Sequence, residues 1–388
     1  MRVLEITQVM SGPFCGLLLA DLGADVIKVE KAEGDDSRRM APPHIGGESA
    51  AFMAINRNKR GVGLNLKAKE GQEVFRKLAA RADVLIENFR PGTMQDFGLG
   101  YADLSAHDPA LIYCSISGFG QTGPYRQRGG FDLVAQAMSG LMSITGHADQ
   151  PPVKVGVPIA DLNAGLYACY AILAAYIHRL KTGQGQHIDT SLLEAGLAYT
   201  FWESSIYFAT GVSAPPMGSA HRLSAPYQAV RASDGYLALG AANQRAWEQL
   251  CVVIGRRDLL AEPRFATNAE RTRHQQELAD ILEEVFATKP VAEWLSDLEQ
   301  AGVPAGPVYD IEQVYHDPQV LARDMVVDLE HPTAGLTKAI GLPVKLSRTP
   351  GQIRRPAPTL GQHTDEVLRE LGLSPEAILA LRERQVVF

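Results

Sequence analysis

The sequence is poor in cysteine and carries no excess of positive charge. Its 388 residues include four cysteines, which are far apart in the chain and form no C-x-x-C pair. This spacing fits neither a disulfide-stabilised domain nor a zinc site, and it favours a reducing compartment. Lysine and arginine number 37 against 44 aspartates and glutamates, and the net charge of -7 argues against a general nucleic-acid-binding surface.

Targeting and membrane signals are also missing. The N-terminus, MRVLEITQV, is too short and too polar for a signal peptide. The most apolar uncharged stretch, residues 162–177, contains Asn163 and is shorter than the roughly 20 residues that span a bilayer. We therefore expect a cytoplasmic protein that binds neither membrane nor nucleic acid.

Several catalytic signatures are absent. The chain has no G-x-x-x-x-G-K-[ST], no G-x-S-x-G, no H-E-x-x-H and no cluster of His and Cys, so phosphate-loop, serine-nucleophile and metal chemistry are unsupported. The first strand runs into Ser11, Gly12 and a helical pattern, as in a dinucleotide-binding unit, and Glu30 closes the second strand. Because the G-x-G-x-x-G fingerprint is missing, the sequence does not favour NAD.

What is present is an alternation of strands and helices. Apolar, β-branched runs alternate with helical patterns in the first third, which predicts a doubly wound α/β sheet, although an α+β mixture without consistent crossovers stays open. Residues 161–181 read as one long, deeply buried helix that ends at Gly183. We place a first large domain at 1–210, a linker at 211–225, a small domain at 226–310 and a return to mixed strand and helix at 311–388.

Basic residues cluster in the N-terminal half. In an acidic protein such a cluster is what a polyphosphate ligand would need, although each residue alone is better read as a solvated surface charge. The residues are Lys28, Lys31, Arg38, Arg39, Arg57, Lys59, Arg60, Lys67 and Arg90.

Two aspartates stand in notable settings. Asp161 follows the turn VGVPIA and opens the long helix, where free N–H groups and the helix dipole would keep a carboxylate ionised. Asp132 lies in the glycine-rich segment GGFDLVAQ. Spacing alone makes each a simple N-cap.

Read together, the motifs resemble the class III CoA-transferases, the CaiB/BaiF family. The resemblance runs nearly end to end and is carried by SGPFCGLLLADLGADVIKVE, NRNKRGVGLNL, ADVLIENFRPG, SGFGQTGPY, PIADLNAGLYACYAILAA, KTGQGQHIDTSLLEA, PYQAVRASDGYLALGAANQ, AGVPAGPVYD and LGQHTDEVLRELGLS. It implies a Rossmann-like large domain built from both ends of the chain, a smaller α+β domain and an interlocked homodimer. It also implies that acyl-CoA and a small carboxylic acid are substrates, with no permanently bound cofactor and no metal.

The resemblance assigns roles to particular residues. Asp161 becomes the nucleophile, which forms an aspartyl-CoA thioester, and Asp132 becomes a supporting acid. The CoA contacts carried over are Val9, Met10, Ser11, Lys31, Leu64, Lys67, Asn88, Phe89, Arg90 and Phe131. A lid is expected at Gly240, Ala241, Asn243 and Gln244. Met10 and the shortness of this lid differ from the formyl-CoA enzyme, which argues against oxalate as a substrate.

The substrate class follows from a second segment. Residues 217–227 resemble the subgroup that uses succinyl-CoA with itaconate, citramalate, mesaconate or glutarate, and His221 and Arg222 are candidates for binding the distal carboxylate. They could equally well only line a linker. The alternative within the superfamily is α-methylacyl-CoA racemase, whose segment has a His where this chain has Phe131, and phenylalanine carries no proton. A CoA-binding protein without chemistry is the alternative outside it.

Overall fold

The computed structural model describes residues 1–388, which form two compact units. The larger unit comprises Met1–Met142, Lys154–Ala209 and Pro318–Phe388, and the smaller one comprises Ser143–Val153 and Thr210–Asp317. The smaller unit thus includes the predicted linker at 211–225. It also takes in residues 143–153 and 311–317, which are predicted to belong to the larger domain and its returning tail. Both segments lack long regular elements, so the sequence gives no signal of where they pack.

The first stretch of chain builds the central sheet and its helices. Its elements are β1 (Arg2–Ile6), α1 (Ser11–Asp21), β2 (Asp25–Glu30), β3 (His44–Ile45), β4 (Glu48–Ser49), α2 (Ala50–Asn56), β5 (Lys59–Gly63), α3 (Lys69–Ala79), β6 (Val84–Glu87), α4 (Thr93–Asp96), α5 (Tyr101–Ser105), β7 (Ile112–Ser117), α6 (Asp132–Met138), α7 (Leu141–Ile144), α8 (Ile159–Thr182), β8 (His187–Ser191), α9 (Leu192–Leu197) and α10 (Phe201–Thr210). Two separate helices, α9 and α10, follow β8.

Six of these strands form one parallel sheet in the order β5-β2-β1-β6-β7-β8. The strands β6 and β7 are buried at every residue, as apolar strands of a parallel sheet covered on both faces should be. The chain runs outward from β1 in one direction and then returns to start β6 on the other side of β1. In open α/β sheets ligands bind at such a reversal, in the crevice outside the carboxyl ends of the two strands. The predicted α/β class with a parallel sheet is confirmed.

The long helix α8 differs from its prediction in two ways. It begins at Ile159, two residues before Asp161, and it ends as predicted at Gly183, whose φ of 74° is left-handed. The prediction of a helix buried on all sides is wrong, because only one face packs on the sheet and a second apolar face is exposed. By length and composition α8 is the one helix able to cross a membrane, and 44% of its most apolar window is buried.

The smaller unit is a three-stranded antiparallel sheet with helices. Its elements are β9 (Tyr227–Arg231), β10 (Tyr236–Gly240), α11 (Gln244–Val253), α12 (Asn268–Arg273), α13 (Gln275–Phe286), α14 (Val291–Gln300), β11 (Ala305–Pro307) and α15 (Ile311–Val314). The sheet order is β11-β10-β9, and a hairpin around Asp234 joins β9 to β10. Trp247 and Phe286 are fully buried in its core.

The C-terminal stretch returns to the larger unit. It contains α16 (Pro318–Ala322), the hairpin strands β12 (Val326–His331) and β13 (Gly335–Ile340), α17 (Thr364–Glu370) and α18 (Pro375–Glu383). Leu368 of α17 and Leu381 of α18 join the same apolar core as Leu4 of β1 and Val62 of β5. The two ends of the chain therefore share one core, on the face of the sheet opposite α1 and α8.

Candidate active site at the carboxyl edge of the sheet

Two cavities that share Gln8 and Phe89 as walls open beyond the carboxyl ends of β1 and β6. One, which we call the lysine cavity, has a volume of about 430 Å³ and is lined by Lys31 and Lys67, among others. The other, the aspartate cavity, has a volume of about 320 Å³ and contains Asp161. Both lie at the reversal of strand order, where the fold favours a ligand.

The structure distributes the predicted CoA residues over these two cavities. Leu64 lines the lysine cavity together with Lys31, Lys67 and Phe89. The other predicted contacts line the aspartate cavity, and they are Val9, Met10, Ser11, Asn88, Arg90 and Phe131, with Phe89 shared. Residues that are up to 122 positions apart in the sequence, from Val9 to Phe131, are thus brought to one edge of the sheet. Their roles in binding CoA stay predictions.

Asp161 lies in the first turn of α8 and lines the aspartate cavity. Its carboxylate accepts no hydrogen bond from the chain. Burial and, to a smaller extent, the negative charge of Asp132 together raise the pKa of Asp161 to about 7. The expectation that free N–H groups at the helix start keep Asp161 ionised is therefore wrong, because those groups are already bonded elsewhere.

Asp132 takes the capping role that spacing suggested for Asp161. Its Oδ1 accepts hydrogen bonds from the backbone N–H of Ala160 at 2.9 Å and of Asp161 at 3.4 Å. Gln136, one helical turn later in α6, donates from Nε2 to Asp132 Oδ2 at 2.6 Å and accepts from the Val155 N–H at 2.9 Å. Gln136 is fully buried, and sequence reasoning missed it, although its i+4 spacing from Asp132 places it on the same helix face. Gln136 therefore orients Asp132, and Asp132 in turn caps the first turn of α8.

The crossing of α1 and α8 brings Ser11 beside Asp161. At Gly165, one turn after Asp161, a Cβ atom would lie 2.6 Å from the carbonyl oxygen of Ser11 and 3.3 Å from the amide nitrogen of Cys15. Only glycine lets the two backbones approach this closely. The N-terminal turn of α1 and the first turn of α8 therefore meet in the same cavity.

The turn between β1 and α1 is held from two sides. Val9 has a φ of 67°, a left-handed conformation that is strained for a β-branched residue. The Val9 N–H donates to Asp35 Oδ1 at 3.0 Å. The Asn88 side chain accepts a hydrogen bond from the Gln8 N–H and donates one to the Gln8 carbonyl oxygen, each at 2.8 Å. The Asn88 side chain, predicted to contact CoA, is thus occupied in shaping the turn.

A buried charge network lies beneath this turn. Lys28 and Lys59 are fully buried and share the carboxylate of Glu5, at 3.1 Å and 2.8 Å, and Lys28 also pairs with Asp35 at 2.9 Å. Burial alone would raise the pKa of Asp35, but the attraction of Lys28 lowers it below its ordinary value. Asp35 is therefore ionised when it accepts the Val9 N–H.

The predicted polyphosphate cluster is largely wrong. Only Lys31, Lys67 and Arg90 of its nine residues line a cavity. The other six bind carboxylates of the protein itself: besides Lys28 and Lys59, these are Arg38 with Glu30, Arg39 with Asp36, Arg57 with Asp21, and Arg60 with Asp25 and Glu370. Sequence shows a charge but not its partner, which here comes from another strand or from the C-terminal helices.

Comparison with known proteins places this site in a family. A family model described as CoA-transferase family III matches residues 1–364. The chain belongs to CoA-transferase family III. The predicted resemblance is thereby confirmed, and the protein is an enzyme that transfers CoA.

Relatives of this CoA-transferase match over nearly the whole chain. A succinyl-CoA:glutarate CoA-transferase of Homo sapiens is 41% identical over 371 residues, which are 95% of this chain and 85% of the relative. A succinyl-CoA:mesaconate CoA-transferase of Haloarcula marismortui is 39% identical over 383 residues, 96% of each chain. Among solved structures, a CaiB/BaiF family protein from Brucella suis is similar with a TM-score of 0.86 at 40% identity, covering 96% of this chain and 98% of that one.

The remaining predicted site residues of the transferase belong to the smaller unit. Arg222 donates to the carbonyl oxygen of Pro215 at 2.7 Å, and His221 Nδ1 accepts from the Leu223 N–H at 3.1 Å. Within the predicted lid, Ala241 is fully buried and Asn243 caps α11 through the Ala246 N–H. The two other lid residues are Gly240, which ends β10, and Gln244, which accepts a hydrogen bond from Arg271. Their roles at the active site stay predictions.

Proposed function

We propose that this enzyme moves CoA from an acyl-CoA, in the first place succinyl-CoA, to a small dicarboxylic acid such as glutarate, mesaconate, citramalate or itaconate. Two relatives at about 40% identity are named for succinyl-CoA with glutarate and with mesaconate, which supports this substrate class. The central observation is a half-buried aspartate without a hydrogen-bond donor, in a cavity that adjoins a second one lined by two lysines.

The proposed reaction starts on the donor thioester. A carboxylate oxygen of Asp161 attacks the thioester carbonyl carbon, the C–S bond breaks, and CoA leaves as the thiolate. The product is a mixed anhydride between Asp161 and the donor acid. The thiolate then attacks the Asp161 carbonyl carbon, the anhydride C–O bond breaks, and the donor acid leaves as a carboxylate. CoA is now held as a thioester of Asp161.

The second half repeats these steps in reverse with the acceptor. Its carboxylate attacks the aspartyl thioester and releases the thiolate, and the thiolate attacks the acceptor carbonyl carbon and releases Asp161. No proton is transferred and nothing is oxidised, so the scheme needs no general base, metal or resident cofactor. It does need exclusion of water, because either anhydride would hydrolyse.

The site suits transfer better than racemisation. A racemase needs one group to remove an α-proton and another to return it. Phe131, next to Asp132, can do neither, and no histidine lines the aspartate cavity. A half-buried carboxylate with a raised pKa is, in contrast, a stronger nucleophile than a solvated one once it is ionised.

The test is a product screen with Asp161→Asn. Mass spectrometry of CoA thioesters, after incubation with succinyl-CoA and a panel of C2–C6 acids, should show dicarboxylyl-CoA products with the unaltered enzyme. Asp161→Asn should lower the rate by on the order of a thousandfold or more, because the amide cannot form the anhydride. Hydroxylamine should trap CoA-loaded enzyme at Asp161 only in the unaltered protein.

The control is Asp328→Asn, which removes a carboxylate of an exposed salt bridge to Lys338. It should turn over at the unaltered rate. Transfer at an undiminished rate by Asp161→Asn would rule out the aspartyl thioester. Rapid uptake of deuterium into a 2-methylacyl-CoA would instead support a racemase.

We further propose that the enzyme acts as a cytoplasmic homodimer with two interlocked chains. Support comes from the exposed apolar face of α8 and from α10, which has no buried residue although it is rich in aromatic side chains. The four cysteines are buried and unpaired, which fits a reducing compartment.

A further inference from the structure

Arg128 lies in the aspartate cavity but belongs to no group of residues assigned so far. It is part of the loop between β7 and α6, and it lines the same cavity as Asp161 and Arg90. Neither guanidinium group makes a salt bridge with a carboxylate of the chain, whereas Arg38, Arg57 and Arg60 all do. Two cations without a carboxylate partner in the cavity that contains Asp161 indicate that the ligand itself brings negative charge.

The guanidinium plane of Arg128 is held in place by stacking. Its central carbon lies 3.8 Å from the centre of the Tyr125 ring, and the Arg128 N–H donates to the Tyr125 carbonyl oxygen at 2.8 Å. Tyr125 is in turn packed edge-on by Phe119 with the ring centres 5.8 Å apart. A guanidinium stacked on its face keeps its N–H groups free at the edge, where a carboxylate can accept two parallel hydrogen bonds.

Neither Arg128 nor Arg90 forms a salt bridge with Asp161, although all three line one cavity. The charged neighbour that shifts the pKa of Asp161 is Asp132, which agrees with this separation. A molecule that reacts at Asp161 and also binds an arginine of this cavity must therefore carry its second negative charge some bonds away. A short dicarboxylic acid has this form, with one carboxyl group to react and one to be held.

We propose that Arg128 is the residue that selects dicarboxylic over monocarboxylic acids, by binding the distal carboxylate of the acid whose other carboxyl group reacts at Asp161. The inference rests on the proposed function. Arg90 keeps the role that the family resemblance implies for it, which is to bind CoA. A phosphate of CoA is the other anion that could bind Arg128, and the experiment separates the two.

The experiment compares acids that differ only in the distal group. Glutarate and pentanoate have the same chain length, and Arg128→Leu should raise KM for glutarate by about tenfold to a hundredfold while leaving KM for pentanoate unchanged. For the CoA donors, Arg128→Leu should raise KM for succinyl-CoA and leave KM for butyryl-CoA unchanged. Arg128→Lys should restore part of the loss, because it keeps the charge but not the paired hydrogen bonds.

The matched control is Arg126→Leu, a basic residue of the same loop that does not line the cavity. It should leave all four KM values unchanged. An equal rise for butyryl-CoA and succinyl-CoA would assign Arg128 to the CoA phosphates and overturn the inference, as would unchanged glutarate kinetics in Arg128→Leu. An unaltered enzyme that accepts pentanoate but no dicarboxylate would overturn the proposed substrate class as well, so the two failures are distinguishable.

Discussion

At the scale of single residues, the pKa of Asp161 predicts how the rate depends on pH. A nucleophilic carboxylate must be ionised, and with a pKa of about 7 the rate should fall as the pH drops below neutrality. Asp132→Asn keeps an oxygen that can accept the Ala160 N–H but removes the negative charge. The pKa of Asp161 should then fall, and the acid limb of kcat/KM should move to lower pH by about one unit. Rates measured from about pH 5 to pH 9 test this.

The control is Asp36→Asn, which removes a charge from the wall of the same cavity. Asp36 is paired with Lys31 and Arg39 and does not contribute to the pKa of Asp161, so its acid limb should stay in place. An acid limb that is unmoved in Asp132→Asn, or that moves to higher pH, would contradict the assignment of that limb to Asp161.

A site residue could be predicted from the sequence where its role belongs to that residue alone, but not where the role depends on a partner. Asp161 and Asp132 could be singled out because each stands in a motif that can be read from the chain itself. Asn88 and Asp35 act through partners that are far away in sequence, and Gln136 joins Asp132 of its own helix to Val155 outside it. Residue type does not reveal such partners. For the same reason the sequence shows Lys28 only as one of a cluster of basic residues, whereas in the structure it is buried against Glu5 and Asp35.

At the scale of elements, the contact between α1 and α8 decides where the nucleophile stands. Gly165→Ala places a methyl group against backbone atoms of Ser11 and Cys15, which cannot rotate away. Although alanine favours a helix over glycine, we expect a loss of about 1–3 kcal/mol in the free energy of unfolding, because overpacking outweighs propensity. The rate should fall as well, since Asp161 moves with the first turn of α8. Urea unfolding and kcat measure the two effects.

Gly156→Ala serves for comparison, because no atom lies within 4 Å of the Cβ position there. Its stability and its rate should stay close to those of the unaltered enzyme. A Gly165→Ala protein that is as stable and as active as Gly156→Ala would show that the helix crossing tolerates displacement.

The strands and most helices were predictable from periodicity, but this crossing was not, because a glycine within an apolar helix looks the same in sequence whether or not another backbone touches it.

At the scale of the whole molecule, the larger unit exposes apolar helix faces, which bear on the proposed homodimer. The exposed face of α8 consists of Leu166, Tyr170, Leu173, Ile177 and Leu180, at alternating spacings of four and three residues. This is the spacing of helices that pack against another helix. Phe201 and Phe208 of α10 are 72% and 81% exposed. Exposed apolar patches of this kind mark surfaces that a partner covers.

We therefore expect the protein to have the mass of two chains in light scattering after size-exclusion chromatography. Replacing both Leu173 and Ile177 by glutamate should give monomers, because two charges would be buried without partners in the contact. Leu379→Glu, on the C-terminal helix α18, changes an isolated exposed leucine and should leave the mass at two chains. A single-chain mass for the unaltered protein would contradict the homodimer, and a double variant that still has the mass of two chains would move the contact away from α8.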